Sequence, residues 1–400
     1  MKKKILFITW DGPQTNYLES LFFPIFSGLQ QKSNCRFHVV QFSWAEKEKQ
    51  EQLAQLAKEK GISYTHFRIS RKPHPMFGTL ITLVKGVGFL KRYILQHGIN
   101  TLMPRSTLPA MMVNFIPSSG LKVIFDADGL PLEERIDFSG LNTKGCQYQF
   151  LKKQETRMLR TADLVLTRSD KANRIHLRNI GEKFSSKFFK VSNGRDEFFF
   201  GLDSNTRERF RKKLGLVPKQ LLMVYCGSLG PQYGWESMIN LFEAIAKIKP
   251  KSRFLILTGE DAYLENRIPK TIDQQVTIIK GPYEDIPAWL NAADMAFAIR
   301  EPMFSMQGVA PIKLGEYLLM GLPTIASKGI GDTEDLLGNK PFVHLFDHQK
   351  KGEVDKVLAW MEQQVFFDRL IIRQFAIKHF TLARSVSDYK NALESLMPIV

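Results

Sequence analysis

A lysine and a glutamate three residues apart, Lys313 and Glu316, stand at the start of a predicted helix, where both side chains would share one face. The helix is predicted over Pro311–Met320, because proline suits a first helical turn and Gly321 followed by Pro323 is typical of a helix end. Free N–H groups and Lys313 would attract phosphate, while Glu316 could accept hydrogen bonds from a vicinal diol such as a ribose. The pattern predicts a nucleotide-diphosphate site, and it is equally compatible with an i, i+3 salt bridge on a solvated face.

Polar residues also follow predicted strands in the first half of the chain. Asp11 and Gly12 follow the first strand, Arg105 follows a later one, and two aspartates, Asp126 and Asp128, follow a third. Because the carboxyl ends of parallel strands meet at one edge of a sheet, we expect these residues to line a ligand site. The aspartates could act as a general base or orient a hydroxyl group, or could serve as turn and N-cap residues. A metal site is not expected, because no third ligand is evident.

Short apolar runs typical of β-strands alternate with helical patterns along the whole chain. This alternation predicts parallel sheets with right-handed crossovers, and two series of about 200 residues predict two Rossmann-like α/β domains with ligand bound between them. The predicted strands are Ile5–Thr9, Arg36–Phe42, Asn100–Met103, Lys122–Phe125, Leu164–Thr167, Leu221–Cys226, Arg253–Thr258, Val276–Ile279, Met295–Ile299 and Thr324–Ala326. Among the predicted helices are Glu46–Lys60, Gln147–Arg160, Trp235–Lys247 and Ile286–Ala292.

Composition and missing motifs exclude several classes of protein. With 400 residues, 44% hydrophobic and 24% charged, the chain fits two globular domains. Cys35, Cys146 and Cys226 are too few and too scattered for a disulfide scaffold and are typical of a reduced, cytoplasmic protein. The apolar run Ile5–Trp10 is too short for a signal peptide, and no uncharged stretch is long enough to span a bilayer. No Gly-x-Gly-x-x-Gly, Walker or Gly-x-Ser-x-Gly motif indicates a dehydrogenase, P-loop protein or serine hydrolase.

The positive charge is concentrated in the first half of the chain. Residues 1–200 carry 31 Lys and Arg against 17 Asp and Glu, a net charge of +14. Because the whole chain has a net charge of +16, residues 201–400 carry only +2. This asymmetry indicates an anionic partner, and we expect contact patches at Met76–Arg92 and at the basic run Lys183–Lys190. In the first patch apolar Leu80, Leu83, Val84 and Val87 lie near helical spacing beside cations, which suits a membrane surface or, equally, a core-packing helix. Nucleic acid is not expected, because no RNA-binding motif with interleaved aromatic residues is present.

The segment Pro311–Ser327, PIKLGEYLLMGLPTIAS, resembles the donor-site helix and following strand of family-4 retaining glycosyltransferases with the GT-B fold. It is most similar to members with a Pro-x-Lys-x-x-Glu-Tyr pattern, many of which build bacterial surface polysaccharides. Val224–Leu229 with Gly234 resembles the family's strand and glycine loop, and Ile286–Met295 its helix followed by Ala-Asp. Val191–Asp196 resembles its Asn-Gly-x-Asp linker. The likeness covers residues 190–330 well and residues 104–135 more loosely.

The resemblance implies two Rossmann-like domains facing across a cleft and a sugar transfer that uses no metal or cofactor. The departing diphosphate of the nucleotide-sugar donor would take the acceptor's proton, while Asp126 or Asp128 would orient the acceptor hydroxyl. On the donor side it implies ribose binding by Glu316, sugar and diphosphate binding by Gly308 and the amides around Val309–Ile312, base binding near Lys280–Tyr283, and phosphate approach at Gly227 and Ser228. Asp11, Gly12 and Arg105 would lie on the acceptor side.

Several positions depart from the family pattern. Gly308 replaces the family's first glutamate, eight residues before the second, and Ser228 and Tyr233 replace the arginine and lysine of the glycine loop. We expect Lys313 or Arg300 to supply the lost positive charge. Asp128 stands where related enzymes have the arginine of Asp-x-Arg-Gly, and the family's Gly-Gly pair after the first strand is missing.

The sequence therefore predicts an acceptor-binding domain over residues 1–192, a nucleotide-sugar-binding domain over 193–384, and a C-terminal helix over 385–400 that returns to the first domain. The predicted function is retaining, hexosyltransferase-type transfer to a glycan or polyprenyl-diphosphate-linked acceptor in bacterial surface polysaccharide assembly. We expect a cytoplasmic protein at the inner face of an anionic membrane. Two alternatives are a non-catalytic GT-B partner subunit, suggested by the substituted positions, and a nucleotide-sugar 2-epimerase, which would need more carboxylates and a histidine.

Overall fold

Two α/β units make up the protein in its computed structural model. The structure describes residues 3–13, 15–72, 74–117, 120–363 and 367–396. The first unit extends to Ser192 and resumes at Ser385, and the second unit comprises Asn193–Arg384. Residues 397–400 of the predicted C-terminal helix lie outside the described residues.

The first unit is built on a seven-stranded parallel sheet in the order β3-β2-β1-β4-β5-β6-β7. Its strands are β1 (Lys3–Asp11), β2 (Cys35–Ser43), β3 (Ser63–Arg68), β4 (Thr101–Pro104), β5 (Lys122–Asp126), β6 (Leu164–Thr167) and β7 (Phe188–Lys190). The crossover helices are α1 (Phe23–Lys32), α2 (Lys47–Glu59), α3 (Pro75–His97), α4 (Thr107–Val113), α5 (Pro131–Ser139), α6 (Cys146–Thr161) and α7 (Asp170–Ile180). The strand order reverses between β1 and β4, which is where open α/β sheets form a binding crevice.

The second unit repeats this architecture with six parallel strands in the order β10-β9-β8-β11-β12-β13. Its strands are β8 (Leu222–Cys226), β9 (Arg253–Leu257), β10 (Val276–Ile279), β11 (Met295–Ala298), β12 (Thr324–Ser327) and β13 (Val343–Phe346). Its helices are α8 (Ser204–Lys213), α9 (Trp235–Ile248), α10 (Ile286–Ala292), α11 (Ile312–Leu319), α12 (Thr333–Leu337), α13 (Glu353–Gln363) and α14 (Arg369–His379). Here the order reverses between β8 and β11.

The ten predicted strands are all present, and the structure adds β3, β7 and β13. Each added strand lies at the edge of its sheet, where one side meets no neighbouring strand and fewer apolar residues are needed. The helix predicted over Pro311–Met320 is shorter, because Pro311 is extended (φ −72°, ψ 109°) and precedes α11 instead of opening it. Gly321 has the positive φ (62°) expected after a helix end.

The two predicted basic patches differ from expectation in detail. Helix α3 buries Leu83 and half-buries Val87, so these two residues pack inward, while Leu80 and Val84 are exposed. In the second patch, the Lys187 ammonium donates to the backbone carbonyls of Arg160 and Ala162. This lysine therefore forms hydrogen bonds within the first unit. Within the described residues, no helix combines the length and hydropathy needed to cross a membrane.

Helix α15 (Leu382–Glu394), which begins three residues earlier than predicted, packs into the first unit. Ser192 donates a hydrogen bond of 2.7 Å to the Asp388 carboxylate. Val386 is buried against α1, where a Cβ at Gly28 would lie only 2.7 Å from a Val386 methyl. Tyr389 is 1% exposed, and its hydroxyl has no hydrogen-bond partner among the described residues. The aromatic ring of Tyr389 therefore contributes to stability through packing.

Replacing Tyr389 should separate ring packing from hydroxyl bonding. We expect Tyr389→Phe to leave the free energy of unfolding unchanged or slightly higher, because the substitution removes a buried hydroxyl without a partner. Tyr389→Ala should lower that free energy by about 3–5 kcal/mol through the cavity it creates. Urea denaturation followed by tryptophan fluorescence measures both variants. Equal losses for the two variants would contradict this account of the hydroxyl.

Candidate functional site

In the second unit, the candidate site lies at the carboxyl ends of β8 and β11, where the strand order reverses. Strand β8 ends at Cys226 and leads through a glycine-containing loop into α9, while β11 leads through Arg300 towards α11. The Tyr317 hydroxyl on α11 accepts a 2.8 Å hydrogen bond from the Cys226 backbone N–H. Tyr317 is fully buried, so this contact fixes α11 against the end of β8.

The side chain of Lys313 lies across the start of the loop between β8 and α9, residues 227–234, here called the glycine loop. Its ammonium donates to the Tyr225 hydroxyl at 2.6 Å. A Cβ at Gly227 would stand 2.2 Å from Cε of Lys313, and the φ of Gly227 is +129°. Glycine is thus required at position 227, both for its backbone conformation and for the space that the lysine side chain occupies.

Two cations flank the ring of Tyr233 in the same loop. The Lys313 ammonium lies 4.2 Å from the ring centre and the Arg300 guanidinium 4.9 Å from it. In the part of the chain that the structure describes, neither cation has an ion pair with a carboxylate. Burial, followed by repulsion from Arg300, lowers the pKa of Lys313 to about 7. An anion bound here would relieve that repulsion.

Glu316 forms an ion pair with Arg195, a residue that the sequence analysis did not single out. The Arg195 Nε donates to the Glu316 carboxylate at 2.8 Å, and each side chain is 7% exposed. Burial raises the pKa of Glu316, and the charge of Arg195 opposes that effect. No ion pair joins Glu316 to Lys313, so the simple salt bridge that the spacing allowed is not formed. Arg195 is the third residue of the Asn-Gly-x-Asp segment. Its place in that segment is the sequence feature that could have indicated it.

The other predicted donor-side residues lie on loops of the second unit. Gly308 is buried at the end of a short 3₁₀ turn, and the N–H of half-buried Val309 bonds within that turn to Met306. Ser228 is exposed. The ring of Tyr283 stacks on Phe199 at 5.1 Å. Burial raises the pKa of Tyr283, which is also close enough to feel the charges of Arg195 and Glu316.

In the first unit, charged residues follow four neighbouring strands at their carboxyl ends. Asp11 ends β1, Arg105 follows β4, Asp126 ends β5 and Arg168 follows β6. The carboxylate of Asp126 is fully buried and accepts from Arg168 at 2.8 Å. The Asp128 carboxylate accepts from Arg105 at 2.5 Å. The predicted acceptor-side charges are therefore brought together, with Arg168 as an additional member.

The two aspartates differ in what they can touch. Asp126 has no exposed surface and also accepts from the Asp128 N–H at 3.2 Å, so its carboxylate contacts only its protein neighbours in this structure. The side chain of Asp128 is 31% exposed, and its φ of +62° is strained for a residue other than glycine. Buried Asp11 accepts from Thr9 and Gln41, and burial raises its pKa against the opposing charge of Arg105.

Gly12 is half-buried beside the Trp44 ring, which would lie 3.7 Å from a Cβ at that position. The guanidinium of Arg105 lies 5.0 Å from the ring centres of Tyr17 and Phe22. The expected aspartate pair is thus part of a network of alternating charges supported by aromatic rings.

Comparison with known proteins gives a family match for part of the second unit and a fold for the chain. Residues 220–353, which include Gly227, Arg300, Lys313 and Glu316, match the family described as glycosyl transferases group 1. HepE from Anabaena, solved in complex with UDP, has a TM-score of 0.72 and 16% identity, with 99% of this chain and 100% of HepE covered. The chain has the GT-B fold. The prediction of the fold class is thereby confirmed.

Other GT-B structures are similar at comparable levels. Sucrose-phosphate synthase from Thermosynechococcus elongatus has a TM-score of 0.72 and 15% identity, with 99% of each chain covered. WaaG, a glycosyltransferase involved in lipopolysaccharide biosynthesis, has a TM-score of 0.69 and 15% identity over 97% of this chain and 98% of its own. No curated protein sequence matches the chain.

The lowered pKa of Lys313 can be measured by amine acylation at a series of pH values. Because only the neutral amine reacts, we expect the labelling of Lys313 to have a midpoint near pH 7, in contrast to about 10 for ordinary lysine side chains. Arg300→Gln should move this midpoint upwards, since it removes the neighbouring positive charge. Mass spectrometry of the labelled peptide measures the profile. A wild-type midpoint of about 10 would contradict the burial of the ammonium.

Proposed function

We propose that this GT-B protein is a retaining glycosyltransferase that moves a hexose from a nucleotide diphosphate sugar to a glycan or lipid-linked acceptor. The family match over residues 220–353 and the fold support transfer from an activated sugar. HepE, a structural neighbour, was solved with UDP, with UDP-glucose, and with UDP and glucose. The observation that carries the proposal is the pair of cations around Tyr233.

The diphosphate would bind at Lys313 and Arg300. Both cations lie on one tyrosine ring at the glycine loop and repel each other. The arginine and lysine that related enzymes carry in this loop are replaced here by Ser228 and Tyr233. Lys313 at the start of α11 and Arg300 after β11 would thus supply positive charge at the glycine loop in place of those two residues. The Tyr233 ring would hold both cations.

The ribose would bind at Glu316. Its carboxylate is on the same helix as Lys313, one turn further along, and Arg195 fixes its orientation. Each carboxylate oxygen can accept more than one hydrogen bond, so an ion-paired Glu316 can also accept from ribose hydroxyls. The base would lie near Tyr283 and the sugar near Gly308 and Val309.

The acceptor would bind in the first unit beside Asp128 and Arg105. In the proposed transfer, the bond from the anomeric carbon to the donor phosphate breaks and a bond to the acceptor oxygen forms on the same face. The acceptor proton passes to the departing phosphate oxygen, so no separate general base is required. Lys313 and Arg300 would stabilise the developing negative charge of the leaving group, and Asp128 would orient the acceptor hydroxyl.

We place this reaction in the assembly of a bacterial surface polysaccharide, with a polyprenyl-diphosphate acceptor and no metal or cofactor. The Pro-x-Lys-x-x-Glu-Tyr pattern supports this context. The likeness to WaaG is compatible with it. Three free cysteines suit a reducing, cytoplasmic site of action.

Nucleotide binding should depend on Lys313 and Glu316 in different ways. Lys313→Met should weaken nucleoside diphosphate binding roughly 10- to 100-fold, because it removes a hydrogen bond to a charged group, and should affect monophosphates less. Glu316→Gln should abolish the preference for ribose over 2′,3′-dideoxyribose. Calorimetric titration with UDP, GDP, ADP, dTDP and CMP, followed by the matching monophosphate and the 2′,3′-dideoxy form of the preferred diphosphate, measures these affinities.

Exposed residues provide matched controls for this experiment. Lys247→Met and Glu265→Gln make the same chemical changes on exposed parts of the second unit and should leave binding unchanged. Wild-type affinity should fall as pH rises above 7, because diphosphate binding must then reprotonate Lys313, whereas Lys313→Met should lose this dependence. Unchanged affinity in Lys313→Met would contradict the assignment of the diphosphate.

A measurement of sugar transfer should distinguish an active enzyme from a non-catalytic partner subunit. With the preferred nucleotide sugar and a bacterial lipid extract, we expect labelled sugar to enter the lipid fraction with its anomeric configuration retained. Asp128→Asn should lower kcat more than it changes donor affinity, because Asp128 acts on the acceptor side. Chromatography and NMR of the product measure both. Tight nucleotide binding without any transfer or release of sugar would favour the non-catalytic alternative.

A further inference from the structure

Helix α3 presents exposed apolar side chains to solvent, most of them in its first half. Its inner side packs into the core through Leu90, Tyr93 and Ile94. The opposite side, here called the outward face of α3, consists of residues that are between 40% and 83% exposed: Phe77, Leu80, Ile81, Val84 and Leu95. Their spacing places them on one side of a helix with 3.6 residues per turn. Exposed apolar side chains grouped in this way on one side of a helix mark an interaction surface.

The chain segment that carries this face contains only positive charges. From Lys60 to Phe125, with both ends included, the chain contains nine Lys and Arg residues and no Asp or Glu. Exposed cations border the outward face at its start and along its flank: Arg71, Lys72, Lys85, Lys91 and Arg92. Apolar side chains bordered by cations suit the boundary between acyl chains and anionic headgroups.

The start of α3 lies on the same edge of the first sheet as the candidate acceptor site. Because α3 follows β3, its first turn lies at the carboxyl-end edge of the first sheet, the edge that carries Arg105 and Asp128. The guanidinium of Arg71 lies 4.8 Å from the Trp44 ring centre, and Trp44 borders Gly12. A surface that contacts the outward face of α3 would therefore adjoin this edge.

We propose that the outward face of α3 docks on the surface of an anionic lipid bilayer, with Phe77, Leu80 and Val84 entering the headgroup region. This inference rests on the proposed function in one respect, because it explains how a lipid-linked acceptor would reach the first unit. The helix lies in the plane of the interface, and its cations bind the lipid phosphates. Salt should weaken the electrostatic part of this binding.

Vesicle sedimentation tests the proposal on the full chain. Wild type should bind vesicles of phosphatidylglycerol and phosphatidylcholine at least tenfold better than pure phosphatidylcholine, and less well as salt rises. The double variant Leu80→Glu with Val84→Glu should lose at least tenfold in binding. The control Leu370→Glu with Ile371→Glu makes the same change at residues of α14 that are 56% and 53% exposed, and should bind as wild type does.

Three results would overturn the proposal: no binding of wild type to anionic vesicles, binding of the α3 variant at the wild-type level, or binding that ignores both salt and lipid charge. If instead the α3 variant converts a wild-type dimer into a monomer in sedimentation velocity while wild type ignores vesicles, the face is an interface between proteins. Nucleotide titration of the same variants keeps the two proposals distinguishable. The α3 variant should retain nucleotide binding, and Lys313→Met should retain vesicle binding.

Discussion

Any side chain at position 227 would have to occupy the space that Lys313 fills, and this steric constraint determines where the ammonium of Lys313 can lie. The missing Cβ allows the lysine to cross the end of β8, reach the Tyr225 hydroxyl and lie over the Tyr233 ring. Tyr317, four residues after Lys313 on α11, fixes the helix to the same strand end. Strand, loop and helix are therefore joined through one cation that has no carboxylate partner in the described chain.

The buried charges of the two units differ in how they are paired. In the first unit, Asp126 with Arg168 and Asp128 with Arg105 form two ion pairs whose charges largely cancel. Such a network holds its members in place and would leave Asp128 as the exposed contact for a neutral hydroxyl. In the second unit, Lys313 and Arg300 repel each other, and their positive charge remains uncompensated. The neutral hydroxyl group of the proposed acceptor and the anionic diphosphate of the proposed donor would suit these two environments respectively.

The sequence predicted what depends on local periodicity and missed what depends on long-range pairing. Central strands are recognisable in the sequence because both of their faces are buried and apolar, whereas the edge strands β3, β7 and β13 include polar residues and lack that pattern. Lys313 and Glu316 stood out by their spacing on one helix. Arg195 did not, because it lies 121 residues from Glu316 in the chain and only the folded backbone brings them together. The same holds for Arg168, 42 residues from Asp126.

The first unit is discontinuous in the chain, and this affects the order in which the protein can fold during synthesis. Helix α15 supplies Val386 and Tyr389 to its core, yet these residues leave the ribosome after the whole second unit. Until then, the surface of α1 around Gly28 lacks the side chain that covers it. The second unit is one uninterrupted segment and can complete its core earlier. The domain that is synthesised first would therefore be the last to reach its native state.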